Sequence, residues 1–426
     1  MTRGGAARVL TVAIVALAVA GFALALRQLV RLPLQLDFDA YYSAARMANA
    51  HLPLYATPPD SIMGPQSPPS PHREYVYPAL LAGLLRPLAM LPYRWASALW
   101  LVANVAVVGW LSLLVGELLP WARRHRWWTL AAIVLLPATY VTWIEGQLSL
   151  VIAALILLAA VAALRTDDRT RRPDMVAGIA LGLAGALKVY PVVLIPVFAY
   201  HRRWRIVAIA VATGIVATGA GMLLAGGVAD TTYWFTHVLR AVAERPWPAN
   251  QSIAAVMERL APTAPFEVWT GATSATVQLR AIVASRDTAI ILARALQLSL
   301  LALSALAVAR RGRVGTSRAL LADLSLGVLL MSLLVPVVWD HYYVQLLLPA
   351  ALLAGEAAHD AISRHTLLAA ALLVLLQRFW RQLLHIDHSG LVLMCGMIGV
   401  LVLWGATARL CWGADDKLGQ WNAPPL

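Results

Sequence analysis

The sequence predicts an all-α polytopic membrane protein with about twelve crossings, and three observations point that way. Of its 426 residues 60% are hydrophobic and only 13% charged, for a mean hydropathy of +0.71, and such a chain lacks the polar surface that keeps a soluble protein dispersed. Apolar runs of the length that spans about 30 Å of hydrocarbon recur along it. Arginine bursts separate these runs and fall on one side of a membrane when the runs are threaded back and forth.

In order, the runs lie at about 8–30, 95–118, 127–145, 148–164, 204–226, 288–309, 318–337, 341–357, 365–383 and 389–411. The stretch 174–200 is interrupted by Lys188, Pro191 and Pro196 and has basic ends, so it reads as an up-and-down pair of short helices meeting near Lys188-Val189-Tyr190-Pro191. Residues 77–92 are apolar but short, and with Arg86 and three prolines they suit an interfacial helix better than a span. Arg3 and Arg8, Arg123-Arg124-His125-Arg126, Arg165 to Arg172, Arg202-Arg203, Arg310-Arg311, Arg364 and Arg409 then share one face, the cytoplasmic one. Both termini belong to that face, and the first run, without a convincing cleavage site, stays as an anchor in the membrane, expected to be the plasma (inner) membrane.

The opposite face receives a first extracytoplasmic loop at 31–94 and a second at 227–287, within a single membrane domain 1–426. It also receives the turns at Glu145-Gly146-Gln147, Trp339 to Tyr343 and His385-Ile386-Asp387-His388. Residues 53–71, rich in Pro and Ser, read as a helix-free excursion. The net charge of +13 does not indicate nucleic acid, because the arginines are scattered between apolar runs rather than gathered on one basic surface. Cys395 and Cys411, the two cysteines, have no metal-ligand spacing and read as packing residues.

Chemistry concentrates at that outer boundary. Asp37 stands where the first span leaves the membrane, and a partly desolvated carboxylate is a stronger proton acceptor than a hydrated one. The ordinary alternative is that Asp37 or Asp39 caps a helix from about Ala40 to Ala50, with Tyr41 and Tyr42 as interface anchors. Asp340-His341 sits between two late spans at the same depth, where an imidazole can take a proton or face a phosphate; the alternative is a polar turn flanked by interfacial Trp339 and Tyr342. Lys188 is a lysine inside an apolar run, and its burial costs about 2.5–3.5 kcal/mol on insertion scales. Its partner is either a carboxylate such as Glu145 or a lipid phosphate. Asn250-Gln251-Ser252 also matches an N-glycosylation sequon.

Asp37-Phe38-x-x-Tyr41-Tyr42, Tyr77-Pro78-Ala79-Leu80 with Pro87-Leu88, Gly146-Gln147, Ala177-Gly178-x-x-Leu181-Gly182 leading to Lys188-x-x-Pro191, Asn250-Gln251-Ser252, and Trp339-x-His341-Tyr342 follow one another along the chain. Each motif is short, but their order resembles glycosyltransferase family 87, a family of polyprenyl-phosphate-mannose-dependent mannosyltransferases and arabinofuranosyltransferases of bacterial envelopes. The resemblance implies a GT-C helical bundle with interfacial helices and a catalytic aspartate in its first outer loop. It assigns catalysis to Asp37 with His341 beside it. The expected substrate contacts are Lys188, Tyr41, Tyr77, Arg86, Gln147, Asn250, Gln251, Trp339, Asp340 and Tyr342. The family more often has Tyr-Pro-Pro where this chain has Tyr77-Pro78-Ala79, and the Pro-rich stretch before it is long; both departures bear on the acceptor rather than on the reaction.

A sugar on a polyprenyl phosphate already carries a good leaving group, so such an enzyme needs a base for the acceptor hydroxyl and cations for the departing phosphate. Asp37 suits the first task, and Lys188, His341 and Arg86 the second. Single displacement inverts the anomeric centre. There is no Asp-x-Asp nucleotide-sugar site on the cytoplasmic face and no Gly-rich phosphate loop. No cofactor is expected, and a divalent cation at Asp37 and Asp39 is the less favoured option. The implied partners are a polyprenyl-phosphate sugar donor carrying a mannose-like hexose, a glycolipid or glycan acceptor, and the bilayer. A transporter or flippase of a lipid-linked sugar is the alternative function.

Overall fold

The computed structural model describes residues 35–412 except 64–73, 166–170, 243–248, 270–273, 313–315, 358, 381–382 and 385–389, with five isolated residues before Gln35. The expected first span at 8–30 and the His385 to His388 turn therefore lie outside the described residues. The chain divides into two compact units, Met1–Arg240 and Ala241–Leu426.

The first unit opens with α1 (Leu36–Asn49), which carries Asp37 and Asp39 in its first turn and Arg46 in its last, the charge order a helix dipole favours. The expected capping role of the aspartates is corrected here, because the helix starts four residues earlier than the sequence suggested and Gln35 occupies the N-cap. The Pro- and Ser-rich excursion is also corrected: Asp60–Met63 forms one helical turn. α2 (Ala79–Leu85) is too short to cross a membrane; it buries six of its seven residues within the unit, while Leu84, Met90 and Leu91 of the same apolar stretch are exposed.

α3 (Tyr93–Leu118) begins after Pro92 and is the first complete span described. α4 (Arg126–Leu135) and α5 (Pro137–Glu145) are bent by 61° at Leu136, where Pro137 withholds an N–H and restricts the residue before it. α6 (Ser149–Leu164) follows, then α7 (Arg172–Leu187), which stops at Lys188 in extended conformation. α8 (Trp204–Gly221) packs on α7 through Gly178 and Gly182. A Cβ at Gly178 would lie 2.6 Å from the Ile209 Cβ, and one at Gly182 2.5 Å from the Ala210 carbonyl oxygen. Small residues four apart let two helix backbones approach this closely. The helical run continues from α8 to Val242 through π turns at Met222–Gly226 and Trp234–Val238.

In the second unit α9 (Ile253–Arg259) starts at Ser252, whose side chain accepts from the Ala255 N–H. A two-stranded antiparallel hairpin, β1 (Phe266–Trp269) and β2 (Ser274–Val277), pairs Phe266 with Val277, a departure from the all-α expectation confined to the second loop. α10 (Arg286–Arg311), α11 (Ser317–Leu334), α12 (Leu347–Glu356), α13 (Ala361–Gln377) and α14 (Cys395–Trp412) complete it. A buried Arg311–Asp323 pair at 2.5 Å and an Arg318–Glu356 pair at 2.8 Å tie helix ends together, and each charge is offset by a partner rather than left alone in an apolar interior.

Among the described residues five helices are long and apolar enough to cross a membrane, or six if the bent α4–α5 pair is one span. The protein is an all-α membrane protein, but about twelve crossings are not reached among the described residues. α6 and α13 are apolar yet shorter than a full span, and the 174–200 stretch is divided at Lys188 into α7 and a short run at Tyr190–Tyr200.

Candidate active site

The i, i+4 spacing of a helix puts Asp37 and Tyr41 on one face of α1 and Phe38 and Tyr42 on the next. Phe38 and Tyr42 form an anchor: Phe38 stacks on Trp100 with ring centroids 5.7 Å apart, and Tyr42 meets Tyr93 edge-on at 5.3 Å. The Tyr42 hydroxyl donates to the Leu91 carbonyl at 2.8 Å. Gln35 adds a further tie, its amide donating to the Trp143 carbonyl at 2.9 Å. With α1 fixed in this way, the Asp37 and Tyr41 face meets the Gly146-Gln147 turn.

That turn needs its glycine. Gly146 has φ +69°, a left-handed conformation, and a Cβ there would come within 2.5 Å of the Phe38 Cβ. Its carbonyl accepts from the Trp100 indole at 2.7 Å. The next residue, Gln147, is buried, and its side-chain oxygen accepts hydroxyls from both Tyr41 and Tyr77 at 3.0 Å. The two rings stand edge to face at 4.9 Å. Burial, with Tyr77 and Asp37 close by, pushes the Tyr41 hydroxyl well above its ordinary value. Gln147 therefore orients two phenols beside the half-buried Asp37.

Lys188 completes the group. Its chain leaves α7 in extended form, and its ammonium sits 5.3 Å from the centre of the Tyr77 ring and 5.6 Å from that of Tyr190. Two aromatic faces lower the cost of desolvating a cation. The remaining charge is balanced chiefly by Asp37 and then by Glu145. The sequence reading offered Glu145 or a lipid phosphate as the partner of Lys188; the neighbour it missed is Asp37 itself.

Two expectations about the first unit need qualification. Arg86 is occupied elsewhere, donating to the Asn49 side chain at 2.8 Å and the Leu224 carbonyl at 2.7 Å, so it clamps α2 to its neighbours. Asp39 is fully buried while Asp37 is half-buried, and positions i and i+2 on a helix project about 200° apart, which does not favour both carboxylates on one cation.

The remaining candidates occupy the second unit. Asn250, fully buried, accepts the Val338 N–H at 2.9 Å and donates to the Pro336 carbonyl at 3.0 Å, while the Gln251 N–H donates to the Val338 carbonyl at 2.7 Å. The Gln251 side chain accepts the Met397 N–H at 3.2 Å. This clasp holds the segment that opens into Trp339 and the 3₁₀ turn Asp340–Leu346. Trp339 and Asp340 are half-buried, His341 and Tyr342 are buried, and the rings of His341 and Tyr342 lie 5.0 Å apart. Asn250 thus carries a positioning role, and its burial leaves no accessible acceptor at the sequon.

Sequence reasoning passed over Arg259, which is fully buried and donates to the Asn250 carbonyl at 2.5 Å. Nothing in the sequence separates it from Arg240, Arg245 or Arg280 in the same loop. It also passed over Asp230, which accepts the Leu54 N–H at 3.1 Å and ties the first loop to the helical run after α8.

Residues 75–336 match the sequence profile of glycosyltransferase family 87. The polyprenol-phosphate-mannose-dependent alpha-(1-2)-phosphatidylinositol mannoside mannosyltransferase of Mycobacterium tuberculosis is 28% identical over 249 residues, covering 54% of this chain and 54% of the relative. Its namesake from Mycolicibacterium smegmatis is 29% identical over 254 residues, covering 55% of this chain and 54% of that relative. The chain thus spans about half the length of the curated relatives it matches. No solved structure matches significantly.

Proposed function

Because this chain belongs to glycosyltransferase family 87, we propose that it transfers a mannose-like hexose from a polyprenyl phosphate to a glycolipid or glycan acceptor at the outer face of the plasma membrane. The observation that carries the proposal is the joining of Asp37, Tyr41, Tyr77, Gln147 and Lys188 at one place in the first unit. That group supplies what the reaction needs. Asp37 removes the proton of the acceptor hydroxyl as its oxygen attacks the anomeric carbon. Lys188 stabilises the phosphate as the bond to the sugar breaks, in a site where two aromatic faces exclude water and strengthen the attraction. Tyr41 and Tyr77, fixed by Gln147, hold the sugar. His341, on the 3₁₀ turn of the second unit, is the residue there suited to act as a cationic donor to phosphate.

Support for a lipid donor comes from a cavity of about 550 Å³ in the first unit, lined almost wholly by apolar groups such as Leu181, Ala186, Val189, Ile215 and Trp234. Val189 follows Lys188 directly. A cation one residue along the chain from the lining of an apolar cavity is a pairing that suits a phosphate carrying an isoprenoid tail.

Attack opposite the leaving phosphate converts a β-linked donor into an α-glycoside. The test uses β-linked polyprenyl-phosphate-mannose labelled at its anomeric carbon, with the one-bond carbon-proton coupling of the product read by NMR. An α product is expected; a β product would sink single displacement.

A further inference from the structure

From the Asp37 and Lys188 cluster a row of aromatic rings runs outward. Tyr41 meets Tyr77 at 4.9 Å, Tyr77 meets Tyr75 at 6.1 Å, and Tyr75 stacks on Tyr55 at 5.7 Å. Tyr55 then meets Tyr233 at 5.9 Å, and Tyr233 stacks on His237 at 4.6 Å with their planes 11° apart. The inner rings of Tyr41, Tyr77 and Tyr75 are buried, Tyr55 is half-buried, and the outer end is open, with Tyr233 46% exposed and His237 exposed beyond it. Beside the outer rings lies the half-buried carboxylate of Asp230, which interacts with Tyr55 and has one oxygen on the Leu54 N–H.

The outer end of this row lies past the hydrocarbon. From Trp204 about twenty residues suffice to cross about 30 Å at 1.5 Å per residue, so the helical run to Val242 reaches that limit near Leu224. Gly227, at φ +61°, then breaks its regular geometry, and the π turn Trp234–Val238 begins at the residue after Tyr233. A π turn re-aims the side chains around it and recurs at functional sites. Here the Trp234 indole is tied inward to the Val76 carbonyl at 3.0 Å, while its neighbour Tyr233 is left with its ring open to the outside.

We propose that Tyr55, Asp230, Tyr233 and His237 form a subsite for the sugar chain of the acceptor. This rests on the transferase reading given above. The CH face of a pyranose packs on an aromatic ring as other apolar groups do, and a carboxylate at the ring's edge accepts the hydroxyls around the sugar's rim. The row leads inward to the base, so a glycan resting on its outer end is aligned toward Asp37. The occupant is a neutral oligosaccharide and not a lipid tail, because an acyl chain has no use for a carboxylate beside the rings.

The test is calorimetric titration of the detergent-solubilised chain with soluble α-mannotriose, without donor. Saturable binding is expected for the wild type. Tyr233→Ala should weaken it about tenfold, the scale of one lost stacking contact, while Tyr233→Phe, which keeps the ring, should bind as the wild type does. In transfer assays the Tyr233→Ala effect should fall on the KM of the mannotriose acceptor and not on that of the donor. Absence of binding to the wild type, equal affinity for Tyr233→Ala, or an equal loss for Tyr233→Phe would each overturn the subsite. A wild type that binds mannotriose but transfers no sugar would overturn the transferase reading instead.

Discussion

Asp37→Asn is expected to lower the rate of sugar transfer about 10²–10⁴-fold, the contribution of a positioned general base, with little change in folded protein. The substitution preserves the shape and hydrogen-bonding capacity of the side chain, and it leaves the Phe38 and Tyr42 anchor untouched. Because the lost group is the base, kcat should carry the effect and donor KM should change little. Asp39→Asn is the control. Its carboxylate is fully buried on a different face of the helix, so its variant should transfer at a rate much closer to the wild type. If Asp37→Asn transferred normally while Asp39→Asn were inert, the two assignments would have to be exchanged.

Lys188→Met should give the second large effect, a loss of about 10²-fold or more, the scale of removing one preorganised donor to a developing charge. Methionine keeps most of the apolar stem between Tyr77 and Tyr190 but removes the charge and with it the contacts that the ammonium makes with those rings. Burying that charge costs about 2.5–3.5 kcal/mol, so its removal should not lower the yield of folded protein, and the defect should appear in donor use. Loss of folded protein that is rescued by Glu145→Gln would mean that Lys188 serves as half of a structural ion pair. Because Asp37 also balances Lys188, the two variants should be less than additive when combined.

The sequence disclosed the membrane class and most helix positions because long apolar runs and arginine bursts are large, local signals. It disclosed less where geometry depended on packing. Gln147 could be named from its motif, but its acceptance of two tyrosine hydroxyls follows from the close approach that Gly146 permits, which no spacing encodes. Lys188 was conspicuous as a charge in an apolar run, yet its interaction with Asp37 depends on the tertiary fold and not on any spacing in the chain. Asn250 and Gln251 were read as substrate contacts from their motif, and the hydrogen bonds by which they hold the segment before Trp339 were not legible there. About twelve crossings are not reached among the described residues for a related reason. Hydropathy registers α6 and the runs on either side of Lys188 as apolar, but it does not register that α6 ends after 16 residues or that Lys188 divides the stretch around it into two short helical runs.

The most direct measurement reconstitutes the purified chain in liposomes carrying polyprenyl-phosphate-mannose with a radiolabelled sugar and a mannoside acceptor. Label in donor, in acceptor and on each side of the bilayer is then followed over time. The account predicts that label moves from donor to acceptor with the wild type, and that this movement nearly ceases with Asp37→Asn. Labelled donor that changes leaflets while its sugar stays on the lipid, equally with both proteins, would identify a flippase and contradict the transferase account.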